Sequence, residues 1–146
     1  MKKQVLSAVT ILSLLCSLAI GGSPVDAGKI KANIPFDFTA GKIKLPSGTY
    51  TVDRGVVRGL LLIRAEDRKK NVFVSFIGGQ TSKNQSQAKM VFHRYGNQYF
   101  LSQVWDEGGT EAMQLPETRA ERELARHYNL LAQNNAEPET VIVLAQ

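Results

Sequence analysis

A pair of aromatic-rich segments joined by a short turn constrains the fold of this chain more than any other feature. Residues 89–95 and residues 99–105 are rich in aromatic and β-branched side chains, and Gly96 and Asn97 stand between them. This spacing predicts a β-hairpin, because glycine and asparagine adopt the backbone conformations that tight hairpin turns require. The chain is therefore expected to be built on antiparallel β-sheet.

Other segments extend this β-pattern on both sides of the hairpin. Residues 29–38 alternate between apolar and polar side chains, which predicts a strand with one buried face, with an edge position or a bend at Pro35. Residues 60–63 are continuously aliphatic, which favours burial on both sides. Further strands are predicted over residues 49–53, 56–64, 72–77 and 140–144, with polar loops over residues 78–87 and 106–115 and the first of these loops expected to be mobile.

One amphipathic helix is predicted near the C-terminus. Pro116 leads into it, and Thr118 and Glu121 have the spacing of a capping box, in which each side chain bonds the other residue's backbone N–H. Helical spacing then places Ala120, Leu124, His127 or Tyr128, and Leu131 on one face, with an end near Gln133.

Together these segments predict a mainly β fold of about seven strands with one C-terminal amphipathic helix followed by a last strand. The antiparallel sheet is expected to form a small barrel or a sandwich, with the helix across one face or one end. Residues 140–144 are wholly apolar, which predicts a strand that inserts between others or closes a barrel.

The first 27 residues have the pattern of a secretory signal peptide. Lys2 and Lys3 precede an apolar run over residues 5–20, helix breakers follow over residues 21–24, and Ala27 provides a small residue before the expected cleavage. A retained membrane anchor is the alternative, but the run is shorter than the roughly 20 residues that span a bilayer. Lipid attachment at Cys16 is not expected, because Leu15 is large. The prediction is a signal peptide over 1–27, a single domain over 28–146, and a periplasmic or extracellular location.

The predicted mature domain contains no cysteine, so its core must hold it without disulfides. Its charge is uneven: residues 28–104 carry 13 basic and 4 acidic side chains, whereas residues 105–146 carry 3 basic and 8 acidic ones. This asymmetry indicates either a surface for an anionic partner or, as the favoured interpretation, mutual neutralisation of the two parts.

Several short motifs resemble those of a family of small exported bacterial proteins of uncharacterised function. The motifs are Pro-Phe-Asp-Phe at 35–38, Leu-Pro-Ser-Gly-Thr-Tyr at 45–50, Phe-His-Arg-Tyr-Gly at 92–96, Tyr-Phe-Leu-Ser-Gln-Val-Trp at 99–105 and Arg-Ala-Glu-Arg-Glu-Leu-Ala at 119–125. The resemblance spans nearly all of the mature domain. It implies export and a single domain, and it implies no activity, ligand or catalytic residue.

No motif in the sequence requires a particular chemistry. The two histidines, His93 and His127, have no metal-ligand spacing, so neither a metal site nor a cofactor is predicted. No serine lies in a nucleophile elbow, and Asp106 and Glu107 are adjacent, which on an extended chain points their carboxylates apart. An enzyme is therefore not expected. It would need a cleft in which Asp106, Glu107, Glu111 or His93 converge.

The hairpin is the segment with binding character. Aromatic rings interleaved with planar polar groups can stack on sugar rings and read hydroxyl groups. Ordinary packing of strand aromatics is the favoured alternative, and the two interpretations differ in whether Tyr95 and Trp105 are exposed together. The candidate contact surface consists of His93, Arg94, Tyr95, Tyr99 and Trp105.

The sequence thus ranks three classes of function. The first is a non-enzymatic binding or envelope-associated module, with an envelope glycan, an anionic lipid or another exported protein as partner. Nucleic acid is not an expected partner, and a membrane is contacted only through the signal peptide before cleavage. The second is a carrier of a small apolar ligand in a barrel cavity closed by the helix. The third is an enzyme without a recognisable motif.

Overall fold

The computed structural model describes residues 29–83, 85–132 and 137–146, so the predicted signal peptide over 1–27 lies outside the described residues. The chain forms eleven strands and one helix in this part. They are β1 (Lys29–Ile34), β2 (Phe38–Ala40), β3 (Ile43–Leu45), β4 (Gly48–Val57), β5 (Leu60–Ala65), β6 (Asn71–Ser75), β7 (Ile77–Thr81), β8 (Lys89–Tyr95), β9 (Gln98–Trp105), β10 (Glu111–Gln114), α1 (Arg119–Ala132) and β11 (Glu139–Leu144).

The strands form two sheets that pack face to face. The first sheet has the order β1-β4-β5-β6, and the second has the order β11-β8-β9-β10-β7; neighbours in both are antiparallel. The hairpin β2–β3 joins the second sheet through one parallel pairing, Thr39 opposite Phe100. The predicted mainly β fold is confirmed as a sandwich, and the barrel alternative is wrong because the sheets do not close.

One apolar core fills the space between the two sheets. In β1 the side chains of Ile30, Ala32 and Ile34 are buried and the intervening ones are exposed, as their alternation predicts. The largest wholly buried members of this core are Tyr50, Phe92, Ile34, Leu45, Leu61, Ile63 and Met90. Residues 61–63 are all buried, which confirms that β5 is covered on both sides.

Two predicted strands are divided in the structure. The segment 29–38 breaks at Pro35, so that β1 lies in the first sheet and β2 in the second. Proline has no backbone N–H to donate to a strand neighbour, which makes it suitable for this crossing. The segment 56–64 contains a turn at Arg58 and Gly59, where Gly59 has a φ of 76°.

Two segments predicted as loops contain a pair of strands. All of β7 after Ile77 lies within the predicted loop 78–87, β10 lies within 106–115, and the two strands pair with each other. Gly79 allows this pairing: a Cβ atom there would lie 2.9 Å from the Cβ of Gln114 and 3.2 Å from the carbonyl oxygen of Ala112. Glycine therefore permits a close approach of the two backbones here, and the prediction of an irregular loop is wrong for residues 78–81.

The helix covers part of the second sheet, on the face turned away from the sandwich core. Phe92 faces the core, whereas the next residue, His93, contacts Glu121 of α1. Glu121 is buried and Leu124 and Ala125 are half-buried, but Leu131, expected on the apolar face, is 71% exposed, as is Leu130 at 77%. The predicted end near Gln133 lies outside the described residues. No helix in the described part of the chain is long and apolar enough to cross a membrane.

The prediction that the last strand inserts between others or closes a barrel is wrong on both alternatives. Among the described strands β11 pairs only with β8, and it forms an end of the second sheet, where Ile142 and Leu144 are exposed. Beyond it the backbone N–H of Gln146 donates to the carbonyl oxygen of Lys31 over 2.8 Å. The chain end thus ties one edge of the second sheet to β1 of the first.

Candidate functional site

The predicted contact surface of the hairpin is divided between different environments. Tyr95 and Trp105 are each only 5% exposed. The ring of Trp105 packs in a small apolar cluster with Val91 and Ala112, and its indole N–H donates to Gln103 over 3.0 Å. This burial favours the packing role for both side chains, because stacking on a ligand needs an accessible ring face.

The remaining residues of that prediction do not meet at one surface. Tyr99 is half-buried and stacks on Phe36, with ring centroids 3.9 Å apart, while the guanidinium of Arg94 lies 5.5 Å from the centroid of the Tyr99 ring. Arg94 also donates to the carbonyl oxygen of Gly96 and pairs with Glu139. His93 alternates to the opposite face, under α1. Arg94 and Tyr99 therefore lie together on one surface of the hairpin, and His93 belongs to a separate site.

The first site is an open cleft of about 460 Å3 at one end of the sandwich, which we name the lysine cleft. The cleft is formed by the start of β2, the end of β3 with Pro46, the β5–β6 turn and the β8–β9 turn. Gly96 has a φ of 61°, which suits the first central position of a tight hairpin turn. The cleft is lined by Asp37, Phe38, Thr39, Lys44, Leu45, Pro46, Lys70, Asn97, Gln98 and Tyr99.

The acidic and basic side chains of the lysine cleft differ in whether they have a hydrogen-bond or ion-pair partner. The carboxylate of Asp37 accepts a hydrogen bond from the backbone N–H of Ser47 over 2.8 Å. By contrast, the ammonium groups of Lys44 and Lys70 have no ion-pair or hydrogen-bond partner among the described residues. Asn97, Gln98 and Thr39 add amide and hydroxyl groups to the same walls. The cleft therefore offers cationic donors and neutral hydrogen-bonding groups to one ligand.

A second cleft of about 690 Å3 adjoins the lysine cleft across Pro46 and Lys70. Its acidic side chains are engaged: Glu66 accepts from Lys31 over 2.7 Å, and Asp67 accepts from the backbone N–H of Lys69. The hydrogen bond from Lys31 and its charge hold the pKa of Glu66 below its usual value. The unengaged charge of this end of the molecule is therefore positive.

The second site lies beneath the start of α1 and is named the histidine–glutamate cluster. It consists of His93, Glu117 and Glu121, whose potential ligand atoms all lie within 4.8 Å of one another. The Nδ1 atom of His93 is 3.0 Å from an oxygen of Glu121, which is only 5% exposed. Burial, with smaller contributions from Glu121 and Glu117, raises the pKa of the neighbouring Tyr95 to about 12.

The groups considered for an enzyme do not converge. Asp106 pairs with Arg54, with 2.6 Å between the guanidinium nitrogen and the carboxylate oxygen. His93 faces Glu117 and Glu121 rather than Asp106, Glu107 or Glu111.

Sequence reasoning missed the residues that do come together. Lys44, Lys70 and Asn97 are far apart in the chain and line one cleft only because β3, the β5–β6 turn and the β8–β9 turn reach the same end of the sandwich. Glu117 and Glu121 carried one local signal, since residues four apart at the start of a helix project on the same side. Neither carboxylate, however, has a sequence spacing that connects it to His93, which lies 24 and 28 residues before them.

Comparison of the chain with protein-family models, curated protein sequences and solved structures gave no match. The resemblance to a family of small exported bacterial proteins therefore stays a prediction.

Proposed function

We propose that this protein is a non-enzymatic binding module of the bacterial envelope, and that it holds an anionic glycan in the lysine cleft. The observation that carries the proposal is that Lys44 and Lys70, two lysines without an ion-pair or hydrogen-bond partner among the described residues, line one cleft. Charge-assisted hydrogen bonds to carboxylate or phosphate groups are stronger than neutral ones, so such a pair favours an anionic ligand.

The neutral groups of the lysine cleft support a sugar over a simple ion. Asn97 and Gln98 supply amides that both donate and accept, and Thr39 supplies a hydroxyl. Such groups match the hydroxyls of a glycan, while the lysines match its acidic substituents. The cleft is open, which suits one stretch of a longer polymer. The envelope setting follows from the signal peptide predicted over residues 1–27.

The carrier hypothesis has less support. It rested on a barrel cavity, and the space between the two sheets is instead filled by large side chains such as Tyr50 and Phe92. Native mass spectrometry of gently purified protein distinguishes the two ideas. An apolar molecule retained by the protein supports the carrier, and a retained acidic sugar supports the glycan-binding module.

The direct test is calorimetric titration with oligosaccharides of alginate, a linear carboxylated glycan, at low salt. Dextran oligosaccharides of the same length serve as the uncharged control, and phosphatidylglycerol vesicles test an anionic lipid. We expect alginate to bind and the double variant Lys44→Gln/Lys70→Gln to bind at least about tenfold more weakly, since two charge-assisted hydrogen bonds are lost.

The matched control is Arg58→Gln/Lys83→Gln. It removes the same charge from two exposed side chains that lie outside the lysine cleft and have no ion-pair partner in the described structure. We expect its affinity to fall less than about threefold, the effect of net charge alone. Equal losses in the two double variants, or no binding of alginate by the unmodified protein, would overturn the proposal.

A further inference from the structure

The histidine–glutamate cluster has the composition and spacing of a metal-ion site. It combines one imidazole nitrogen with two carboxylates, a ligand set that suits Zn²⁺ and other divalent first-row metals. Ligands that each lie about 2.0–2.2 Å from a shared ion are separated by about 3 Å or slightly more. The His93–Glu121 separation of 3.0 Å already meets this, and Glu117 lies within 4.8 Å of both.

The side chain of Glu121 departs from the role that its position in the sequence predicts. In a capping box it would bond the backbone N–H of Thr118. Only half of the box is present: the Thr118 hydroxyl accepts from the N–H of Glu121 over 3.1 Å, whereas the carboxylate of Glu121 turns toward His93. Natural proteins depart from the local sequence rules that specify a fold mainly at positions where the side chain has a functional role.

The burial of Glu121 gives an energetic reason for a cation there. A carboxylate removed from water is costly unless a positive partner compensates it. The imidazole of His93 offers Glu121 a single hydrogen bond, and Glu117 brings a second carboxylate to the same place. A divalent cation compensates both carboxylates at once, and neutral imidazole is the form in which histidine ligates metals.

We propose that His93, Glu117 and Glu121 bind one divalent transition-metal ion, with Zn²⁺ as the test ion. Three protein ligands leave a tetrahedral ion one open position, and the exposure of Glu117 places that position toward solvent. Because His93 belongs to β8 and Glu121 to α1, the ion fastens the helix to the second sheet. This inference is independent of the lysine cleft.

The test uses the purified protein after treatment with a chelator and its removal. Zn²⁺ is titrated by calorimetry, and thermal unfolding is followed with and without the ion. We expect one Zn²⁺ per chain and a higher Tm in its presence, because a ligand that binds only the folded state stabilises it. Glu117→Gln, a nearly isosteric change at an exposed position, is expected to weaken Zn²⁺ binding at least about tenfold without lowering the ion-free Tm.

Two variants on the same helix are matched controls. Glu123→Gln removes an exposed carboxylate that pairs with Arg119, and His127→Gln removes the other histidine of the chain. Both are expected to bind Zn²⁺ as the unmodified protein does. The proposal is overturned if the unmodified protein binds no Zn²⁺ below about 1 mM, if Glu117→Gln binds normally, or if either control weakens binding as much as Glu117→Gln.

Discussion

The lysine cleft and the histidine–glutamate cluster hold charged side chains in opposite ways. In the cleft, Lys44 and Lys70 line an open space and have no ion-pair or hydrogen-bond partner among the described residues. In the cluster, the side chain of Glu121 is buried between α1 and β8 and forms a hydrogen bond with His93. The two sites therefore contribute differently to the stability of the fold. Charges in water cost little and are available to a ligand, whereas a buried charge stabilises only with its partner present.

The largest expected effect comes from breaking the buried pair. Glu121→Ala removes the partner of His93 and opens a gap beneath α1, and we expect it to lower the free energy of unfolding by about 2 kcal/mol. Lys44→Ala and Lys70→Ala, at the other site, should each change it by less than about 0.5 kcal/mol. Urea denaturation in the presence of a chelator measures all three. Similar values for the two sites would contradict the contrast between them.

The next largest effect on stability is expected at Tyr50, a buried residue whose hydroxyl bonds a wall of the lysine cleft. The hydroxyl of Tyr50 donates to the carbonyl oxygen of Pro46 over 2.7 Å, and Pro46 lies in the walls of both neighbouring clefts. Tyr50→Phe should therefore cost about 1 kcal/mol at neutral pH. Tyr99→Phe is the control, because the hydroxyl of Tyr99 has no hydrogen bond within the described structure, and it should change stability by less than about 0.5 kcal/mol.

The cost of Tyr50→Phe should also depend on pH. Burial, with smaller contributions from Asp67 and Asp37, raises the pKa of Tyr50 above its ordinary value near 10. The folded protein thus holds this proton more tightly than the unfolded chain does. The stabilising contribution is complete below pH 10 and is lost as the pH rises through the raised pKa. The advantage of the unmodified protein over Tyr50→Phe should shrink in alkaline urea titrations, and a constant difference would contradict the assignment.

The sequence predicted the elements whose structure depends on residues close to one another in the chain. The alternation in residues 29–34 and the turn at Gly96 and Asn97 predicted β1 and the hairpin, because burial of one strand face and backbone conformation at a turn are local properties. β7 and β10 were missed, since Gly78 and Gly79 resemble loop residues and show their purpose only when Glu111 packs against Gly78 and Gln114 against Gly79.

Neither site could be found from local spacing. The lysine cleft depends on which turns share one end of the sandwich, and strand order is not encoded in any single segment. The histidine–glutamate cluster was hidden by a local rule that holds only in part, because Thr118 and Glu121 have capping-box spacing but the carboxylate of Glu121 bonds His93 instead of the Thr118 N–H. Only the packing of α1 on β8 decides between the two.

The smallest effect on stability is expected at Arg68 in the β5–β6 turn. There the contribution of the backbone conformation can be measured apart from that of the side-chain charge. Arg68 adopts a φ of 56° within this turn, a conformation that costs a residue with a Cβ about 1 kcal/mol or more. Arg68→Gly removes that strain but also makes the unfolded chain more flexible, so we expect a net stabilisation of about 0.5 kcal/mol. Lys69→Gly, one residue further on and without a positive φ, should instead destabilise the protein.

Arg68 does not line the lysine cleft, so Arg68→Gly should leave alginate binding within about threefold of the unmodified protein, as expected for the loss of one distant surface charge. A larger loss of affinity would mean that the ligand extends over the β5–β6 turn, and the boundary of the cleft would have to be moved to include it.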